Sequence, residues 1–536
     1  MKLKPMALML LLAPAIGWPQ FPPQIKNVII IFQENRTPDN LFHFLEPACL
    51  LGPGPGGMDA CTPAMVNSNC YNISPCGLSN ESGTVVPVML KPLPLSGKID
   101  PNHTHKGFYE MCDPDPATLD CRNDGAWLTS KPAGSSYSYV ENPPVTNYDH
   151  TKGHLLDPYL TLATRYGWAN FMFQTNQGPS YPAHQFMFSG TSAPTAADDA
   201  NSTFVAENFN LKTIGKEAGC IAPKSTTNAL ISPAISSPPA DCTLYDDNSV
   251  QECPMDNTAL IYPTDPVGSF CYPHKSMASL LDPPAITWRY YAPTPGSIWT
   301  APDSIKDICQ PAFVNPNGDP KSKLECTGTL WKANVDLLHN GADVLRDIDR
   351  CALAHVSWVI PDGAWSDHAG ADKGWGPSWV AAIVNAIGNQ PKCGKGTEDE
   401  GQTFWDDTAI VITWDDWGGW SDHVPAHYLS PLPCKSTDCE GDYQHGFRVP
   451  LIVVSAYTPA GLINNVTHNF GSVLRMIEGV FSLGEGALGF ADARSTTDMH
   501  EFFTLKTPRT FTTIPAVKDK NFFLTYTAAP IDPDDE

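Results

Sequence analysis

The chain has 536 residues, of which 42% are hydrophobic and 10% aromatic, so it is long and apolar enough to fold around a large core. Its 57 acidic and 33 basic residues give a formal net charge of −24, which excludes the basic surface that nucleic-acid binding requires. The 52 prolines and 40 glycines predict many loops and few long helices.

Residues 1–20 have the parts of a secretory signal peptide. Lys2 and Lys4 precede a short apolar stretch, and Ala13-Pro14-Ala15 supplies small residues at its end. A disordered terminus is the alternative interpretation. The later apolar runs are shorter than the roughly 20 residues that a membrane-spanning helix needs, so we expect no integral membrane segment. The 16 cysteines, an even number spread through loop-rich sequence, indicate disulfide bonds. The sequence therefore predicts a secreted or periplasmic protein.

Short apolar runs recur along the chain and predict the strands of one sheet. They occupy residues 25–32, 166–173, 285–291, 355–360, 409–414 and 449–456, and residues 473–483 have the pattern of a helix. Continuous apolar runs separated by helical stretches predict the α/β class, with a largely parallel central sheet flanked by helices. We expect residues 21–536 to form a single domain, with loop-rich, disulfide-bearing insertions at about 49–100 and 192–282.

Polar side chains follow several of these runs, at the edge of the sheet where parallel α/β proteins bind ligands. Glu34 and Asn35 follow the first run, and Asp415 and Asp416 follow the fifth. Carboxylate and amide oxygens suit a hard or borderline divalent cation, and two adjacent carboxylates repel one another unless a cation or a proton separates them. A solvated acidic turn is the alternative, but the glycines and the histidine of "ITWDDWGGWSDH" favour a site.

Ser180 lies in "NQGPSYPAHQFMFSG", where a turn precedes a predicted helix. A metal and the helix dipole could activate its hydroxyl as a phosphoryl acceptor, although an ordinary N-cap serine is the alternative. "IDPNHTHKGF" contains His103 and His105, and "PDGAWSDHAG" contains Asp367 and His368. Histidines in such segments can bind a metal or donate a proton.

These segments resemble a known family, the bacterial phosphoesterases that include phosphocholine-type phospholipases C and a respiratory-burst-inhibiting acid phosphatase. The strand followed by "ENRTPD" is similar to the family's Glu-Asn-Arg-(Ser/Thr)-x-Asp, and "DPNHTH" to its Asp-x-x-His-Ser-His. "GPSYP" resembles the turn that bears the nucleophile. "VSWVIPDGAWSDH" and "ITWDDWGGWSDHVP" resemble the family's two C-terminal blocks. The five segments occur in family order between residue 25 and about residue 500.

The resemblance implies an alkaline-phosphatase-like fold and one divalent metal ion of unspecified identity. It implies that the metal is held by Glu34, Asn35, Ser180, Asp415 and Asp416. It also implies that the catalytic residues are Ser180, His103, His368 and Asn35. The family usually has Asp-Glu where this chain has Asp415-Asp416, which shortens the second ligand by one methylene.

The resulting prediction is an exported, metal-dependent phosphoric ester hydrolase with a serine nucleophile and a phosphoserine intermediate. The absence of a basic patch favours acid phosphatase-like activity on small phosphate esters. The alternative is a phospholipase C that cleaves phosphodiesters such as phosphatidylcholine. A catalytically inactive secreted binding protein is the alternative from another class, favoured only by Asp416. A sulfatase-like hydrolase is disfavoured, because no formylglycine signature accompanies Ser180. Oligomeric state is not predicted.

Overall fold

A computed structural model describes most of the chain. The described residues are 21–49, 69–115, 121–200, 204–208, 217–222, 228, 230–231, 271–281, 285–314, 323–390, 403–426, 445–484, 486–495 and 497–531. The predicted signal peptide, residues 1–20, lies outside them. So do parts of the predicted insertions at 49–100 and 192–282.

Eight strands form the central sheet. In chain order they are β1 (Asn27–Gln33), β2 (Gly167–Phe173), β3 (Trp288–Tyr291), β4 (Val335–Asp336), β5 (Val356–Val359), β6 (Thr408–Trp414), β7 (Leu451–Ser455) and β8 (Leu462–Asn469). Their order across the sheet is β4-β3-β5-β1-β6-β7-β2-β8. β7 runs antiparallel to both of its neighbours, and the other pairings are parallel. The predicted largely parallel sheet is confirmed.

The six predicted strands all form, because their apolar, β-branched residues are suited to burial within a sheet. Every residue of β1 and β6 is buried, and these two strands lie side by side in the middle of the sheet. Two strands were not predicted. β4 has two residues, and β8 has the polar sequence LINNVTHN with several partly exposed positions. Both are edge strands, where one side of the strand lacks the sheet neighbour that selects for apolar residues.

Five helices of at least eight residues accompany the sheet: α1 (His105–Cys112), α2 (Asp157–Arg165), α3 (Ser180–Ser189), α4 (Gly376–Asn389) and α5 (Phe470–Val480). The helix predicted at 473–483 is α5, which begins three residues earlier because Asn469 and Ser472 cap its N-terminus. Shorter α-helices are Pro38–Leu41, Ala126–Thr129, Ala196–Ala200, Lys306–Cys309, Thr329–Asn334, Asp343–Asp349, Gly489–Arg494 and Lys520–Leu524. A continuous apolar cluster includes residues of the sheet and of α2, α3, α4 and α5.

Smaller sheets and disulfide bonds organise the segments outside the central sheet. Two-stranded sheets pair Cys76–Ser79 with Val86–Met89, Lys91–Leu93 with Ser138–Val140, Pro144–Thr146 with Lys152–His154, Phe204–Val205 with Leu230–Ile231, and Pro311–Val314 with Lys323–Cys326. Disulfide bonds join Cys49 to Cys70, Cys112 to Cys121, Cys220 to Cys271, and Cys309 to Cys326. The predicted disulfide bonding is therefore confirmed for these cysteines. Within the described ranges, no helix has both the length and the apolar character needed to cross a membrane.

Candidate active site

The two predicted ligand pairs meet at the carboxyl ends of β1 and β6. The parallel register aligns Gln33 with Trp414, so the next residues of the two strands, Glu34 and Asp415, emerge side by side. The backbone amide of Asn35 donates a hydrogen bond to Asp415 Oδ1 at 2.9 Å. Glu34, Asn35, Asp415 and Asp416 are all completely buried. The sheet register therefore brings together side chains that are far apart in the sequence.

Gly418 allows the loop after β6 to approach the loop after β1. Its φ of +61° is in the left-handed region, and a Cβ at this position would clash with the carbonyl oxygen of Asn35. Gly419 has a φ of +69° and lies equally close to Pro101, which precedes His103. Both glycines therefore permit a close approach between backbone segments. They let three loops converge on the same carboxylates.

Ser180 is the first residue of α3, and its hydroxyl points at two of these carboxylates. Its Oγ lies 3.3 Å from Glu34 Oε2 and 3.5 Å from Asp416 Oδ2. The N-cap position belongs to Pro179, so Ser180 is not the N-cap residue that the alternative interpretation required. The hydroxyl is therefore directed toward the predicted ligand set, and the shorter side chain of Asp416 still reaches it.

His184 was not singled out from the sequence, yet it lies in the same cluster. It is completely buried, and its Nε2 lies 3.0 Å from Glu34 Oε1. Residues four apart on a helix share a face, so Ser180 and His184 both reach Glu34 from α3. The four-residue spacing of Ser180 and His184 within "SYPAHQ" could have indicated that they share a helix face. The sequence does not show that Glu34 lies opposite that face.

His103 and His368 lie close to each other, with their ring centroids 5.8 Å apart. His103 Nδ1 is 2.9 Å from the carbonyl oxygen of Pro101, and its Nε2 is 2.9 Å from Asn35 Nδ2. His368 Nδ1 is 2.7 Å from the carbonyl oxygen of Ala369. Because a carbonyl oxygen can only accept, both Nδ1 atoms carry the proton. The Nε2 atom of each ring is therefore the one that can exchange a proton.

Other residues from the motifs lie in different surroundings. His105 Nδ1 is 2.6 Å from the carbonyl oxygen of Gln177, and burial lowers the pKa of His105 to about 4. The Asp367 carboxylate accepts hydrogen bonds from Tyr159 Oη and Trp414 Nε1, at 2.6 and 3.1 Å. His355 contacts Thr287. These contacts give each side chain a packing role.

His423 belongs to a second buried cluster rather than to the Glu34 site. Its Nδ1 is 2.6 Å from Asp39 Oδ2, and Arg448 forms ion pairs with both Asp39 and Asp422. The histidine of "ITWDDWGGWSDH" therefore does not contribute a side chain to the Asp415-Asp416 pair. The chain turns sharply at Gly418 and Gly419 and carries His423 away to this cluster. Since Arg448 already supplies the positive charge there, the cluster is a structural ion-pair network.

The electrostatics of the Glu34 site indicate a place for a cation. Burial, reinforced by repulsion from Asp415, raises the pKa of Asp416 well above its ordinary value. Within the part of the chain that the structure describes, the buried oxygen atoms Asp415 Oδ2 and Asn35 Oδ1 have no hydrogen-bond partner. Such atoms are costly unless something binds them. Glu34, His184 and Asp415 each offer a ligand atom, and these atoms lie within 4.8 Å of one another. The donor set therefore fits a divalent metal ion.

The family assignment follows from comparison with known proteins. Residues 25–484 match the model of the Phosphoesterase family, a segment that contains every residue of the site. The chain belongs to the phosphoesterase family. The predicted resemblance is thereby confirmed.

Curated relatives of this phosphoesterase carry the name phospholipase C. The chain is 30% identical to non-hemolytic phospholipase C of Burkholderia pseudomallei, over 31% of this chain and 24% of the relative. It is 24% identical to phospholipase C A of Mycobacterium tuberculosis strain H37Rv, over 39% of each protein. It is 28% identical to non-specific phospholipase C6 of Arabidopsis thaliana, over 27% of this chain and 28% of the relative. The matched segments thus span well under half of each relative.

Proposed function

We propose that this phosphoesterase hydrolyses phosphoric esters at the Glu34 site, with Ser180 as the nucleophile. The observation that carries the proposal is the position of the Ser180 hydroxyl, at the first turn of a helix and within 3.5 Å of two buried carboxylates. The N-terminal end of a helix favours an anion, whether a serine alkoxide or a bound phosphoryl group. Family membership supports the same reaction class.

The first half of the reaction forms a phosphoserine. The Ser180 proton passes to the carboxylate oxygen that the hydroxyl contacts, Glu34 Oε2 or Asp416 Oδ2. Ser180 Oγ then attacks phosphorus, and the bond to the leaving-group oxygen breaks as that oxygen accepts a proton. A divalent metal ion held by Glu34, Asn35, Ser180, Asp415 and Asp416 would supply positive charge that stabilises the alkoxide and the phosphoryl oxygens.

His368 is the proposed general acid, and His103 is the proposed positioning residue. His103 Nε2 accepts from Asn35 Nδ2, which holds the Asn35 amide with its Oδ1 directed away from the histidine. His368 donates the Nε2 proton of its imidazolium form to the leaving oxygen, while its Nδ1 proton stays hydrogen-bonded to the carbonyl oxygen of Ala369. In the second half, a water molecule attacks phosphorus and gives its proton to His368. The bond from Ser180 Oγ to phosphorus breaks, and Ser180 Oγ takes back its proton from the carboxylate that had accepted it.

Two substrate classes follow from this mechanism, namely phosphomonoesters and phosphodiesters. The acid phosphatase-like activity predicted from the sequence has no support from the relatives' names, whereas all the relatives described above are named phospholipase C. We therefore infer that phosphodiester cleavage is the better-supported activity.

The alternative of an inactive binding protein rested on Asp416 in place of glutamate. The 3.5 Å contact between Ser180 and Asp416 counts against it. We also infer that the fold is alkaline-phosphatase-like, supported by the parallel sheet with the serine and the carboxylates at one edge. Export to the periplasm or outside the cell is supported by the disulfide bonds.

A hydrolysis panel tests the proposed function. The purified chain is stripped with a chelator and assayed with nitrophenyl phosphate, nitrophenyl phosphorylcholine and bis-nitrophenyl phosphate, with single divalent metals added back. We expect metal-dependent turnover, highest on the diesters. Activity on nitrophenyl phosphate alone would show that the protein is acid phosphatase-like and not a phosphodiesterase. Absence of turnover on all three substrates with every metal would contradict the hydrolase.

A further inference from the structure

A nitrogen atom lies among the oxygen ligands of the Glu34 site. His184 was not part of the ligand set implied by the family resemblance, yet one of its ring nitrogens lies within 4.8 Å of ligand oxygens of both Glu34 and Asp415. It is completely buried, and its ring packs against those of Phe32 and Trp299, at centroid distances of 4.7 and 6.3 Å. Packing against two aromatic rings restricts the rotation of the imidazole, so its Nε2 is aimed steadily at the carboxylates.

We propose that His184 is a nitrogen ligand of the metal ion in this site and gives it a preference for borderline transition-metal ions such as Zn²⁺. The inference deepens the proposed function, because it concerns the same metal. Imidazole nitrogen favours borderline ions, whereas Ca²⁺ and Mg²⁺ prefer oxygen ligands alone. An all-oxygen site would be expected to accept Mg²⁺ or Ca²⁺ readily.

The separation between His184 Nε2 and Glu34 Oε1 suits a shared ion. Two ligand atoms at about 2.1 Å from one ion, placed at a right angle, are about 3 Å apart. The observed distance is 3.0 Å. A simple hydrogen bond from His184 to Glu34 has the same length, and in that case His184 would only orient the carboxylate. The two roles differ in which metals they favour and in whether nitrogen contacts the ion.

The experiment compares metal binding by the full chain and by His184→Gln. Zn²⁺ and Mg²⁺ are titrated separately into the chelator-stripped proteins, and affinities are measured by calorimetry and indicator competition. We expect His184→Gln to weaken Zn²⁺ binding by at least about 10-fold and Mg²⁺ binding by less than about 3-fold. His468→Gln, a buried histidine elsewhere in the chain, serves as the matched control and should leave both affinities unchanged.

A spectroscopic measurement on the unmodified chain keeps the proposal testable if His184→Gln fails to fold. Mn²⁺-loaded protein is examined by pulsed electron paramagnetic resonance for coupling to a histidine nitrogen. Coupling in the unmodified chain supports the proposal, and its absence overturns it. Equal loss of Zn²⁺ and Mg²⁺ affinity in a folded His184→Gln, or no loss of either, also overturns it.

The Glu34→Gln variant separates failure of this inference from failure of the proposed function. If Glu34→Gln still binds Zn²⁺ as tightly as the unmodified chain, the metal is not at this site and the proposed function fails with it. If Glu34→Gln loses the metal while His184→Gln keeps the Zn²⁺ preference, only the role of His184 is wrong.

Discussion

The backbone amide of Asn35 donates a hydrogen bond to the Asp415 carboxylate at 2.9 Å, across a sequence separation of 380 residues. This bond joins the residue pairs that follow β1 and β6. Asn35 adopts a φ of +60°, a left-handed conformation that asparagine tolerates better than most residues. This conformation points the backbone N–H of Asn35 toward the Asp415 carboxylate. The two predicted ligand pairs are thus one structural unit.

Asp415→Asn should remove the metal while preserving this unit. An asparagine oxygen can still accept from the Asn35 amide, but the charge that attracts a divalent ion is lost. We expect metal affinity to fall by at least about 100-fold with little change in unfolding temperature of the metal-free protein. Elemental analysis after dialysis measures the metal, and thermal unfolding with a chelator present measures the fold. Stoichiometric metal in the variant would contradict the proposed ligand set.

Ser180→Ala should abolish turnover without unfolding the protein, because a small side chain is removed from the first turn of α3. We expect kcat to fall by more than about 1000-fold. Intact mass after rapid acid quenching should show a phosphorylated species in the unmodified chain and none in the variant. Ser189→Ala, at the other end of the same helix and equally buried, is the control and should retain the phosphorylated species. Normal activity in Ser180→Ala would remove the serine from the mechanism.

Gly418→Ala should damage the site more than a comparable substitution elsewhere. Both Gly418 and Gly370 have positive φ, but an added Cβ clashes with Asn35 at the first and meets nothing within 4 Å at the second. Gly370→Ala should therefore cost only the left-handed strain, about 1–2 kcal/mol. Gly418→Ala should cost more and should weaken metal binding as well, as measured by urea unfolding and metal titration. Equal effects of the two substitutions would show that the close approach is unimportant.

The buried ion-pair network of Asp39, Asp422, His423 and Arg448 should contribute to the stability of the fold. Asp39→Asn leaves Arg448 and His423 with one carboxylate fewer, and removal of one partner from a buried network typically costs about 3–5 kcal/mol. Lys520 and Asp349 form a partly exposed pair, so Asp349→Asn should cost at most about 1 kcal/mol. Urea unfolding of the two variants provides the comparison. If Asp39→Asn lowered the free energy of unfolding no more than Asp349→Asn does, the network would not stabilise the fold as expected.

His468 predicts how stability depends on pH. Burial, and then the charge of His500, lower the pKa of His468 to about 3 from an ordinary value of 6.5. Between these values the unfolded chain binds a proton that the folded chain does not, so the free energy of unfolding falls as the pH is lowered. We expect His468→Gln to reduce this fall by up to a few kcal/mol between pH 6.5 and 4. Urea unfolding of metal-free protein across this range measures the slope.

Local sequence determined the strands of the sheet and the placement of four polar residues directly after two of them. Apolar β-branched runs become buried strands whatever their partners, because burial on both faces selects the same residues along the whole run. Glu34, Asn35, Asp415 and Asp416 directly follow such runs, so their position at the sheet edge could be predicted once a parallel sheet was expected. The five segments that resemble the family, and their order, could likewise be identified from the sequence.

Only the tertiary structure decided the features that depend on pairing between distant segments. The hydrophobic pattern of the sequence does not show that β7 runs antiparallel to its neighbours or that β8 is an edge strand. Both properties depend on the strands that lie next to them in the sheet. His184 joins the site because its Nε2, on α3, lies 3.0 Å from Glu34 Oε1, whereas His423 lies beside Asp39 and outside the site. Sequence spacing predicts which residues share one face of a helix or strand. The carboxylate that such a residue contacts depends on the packing of segments that are far apart in the sequence.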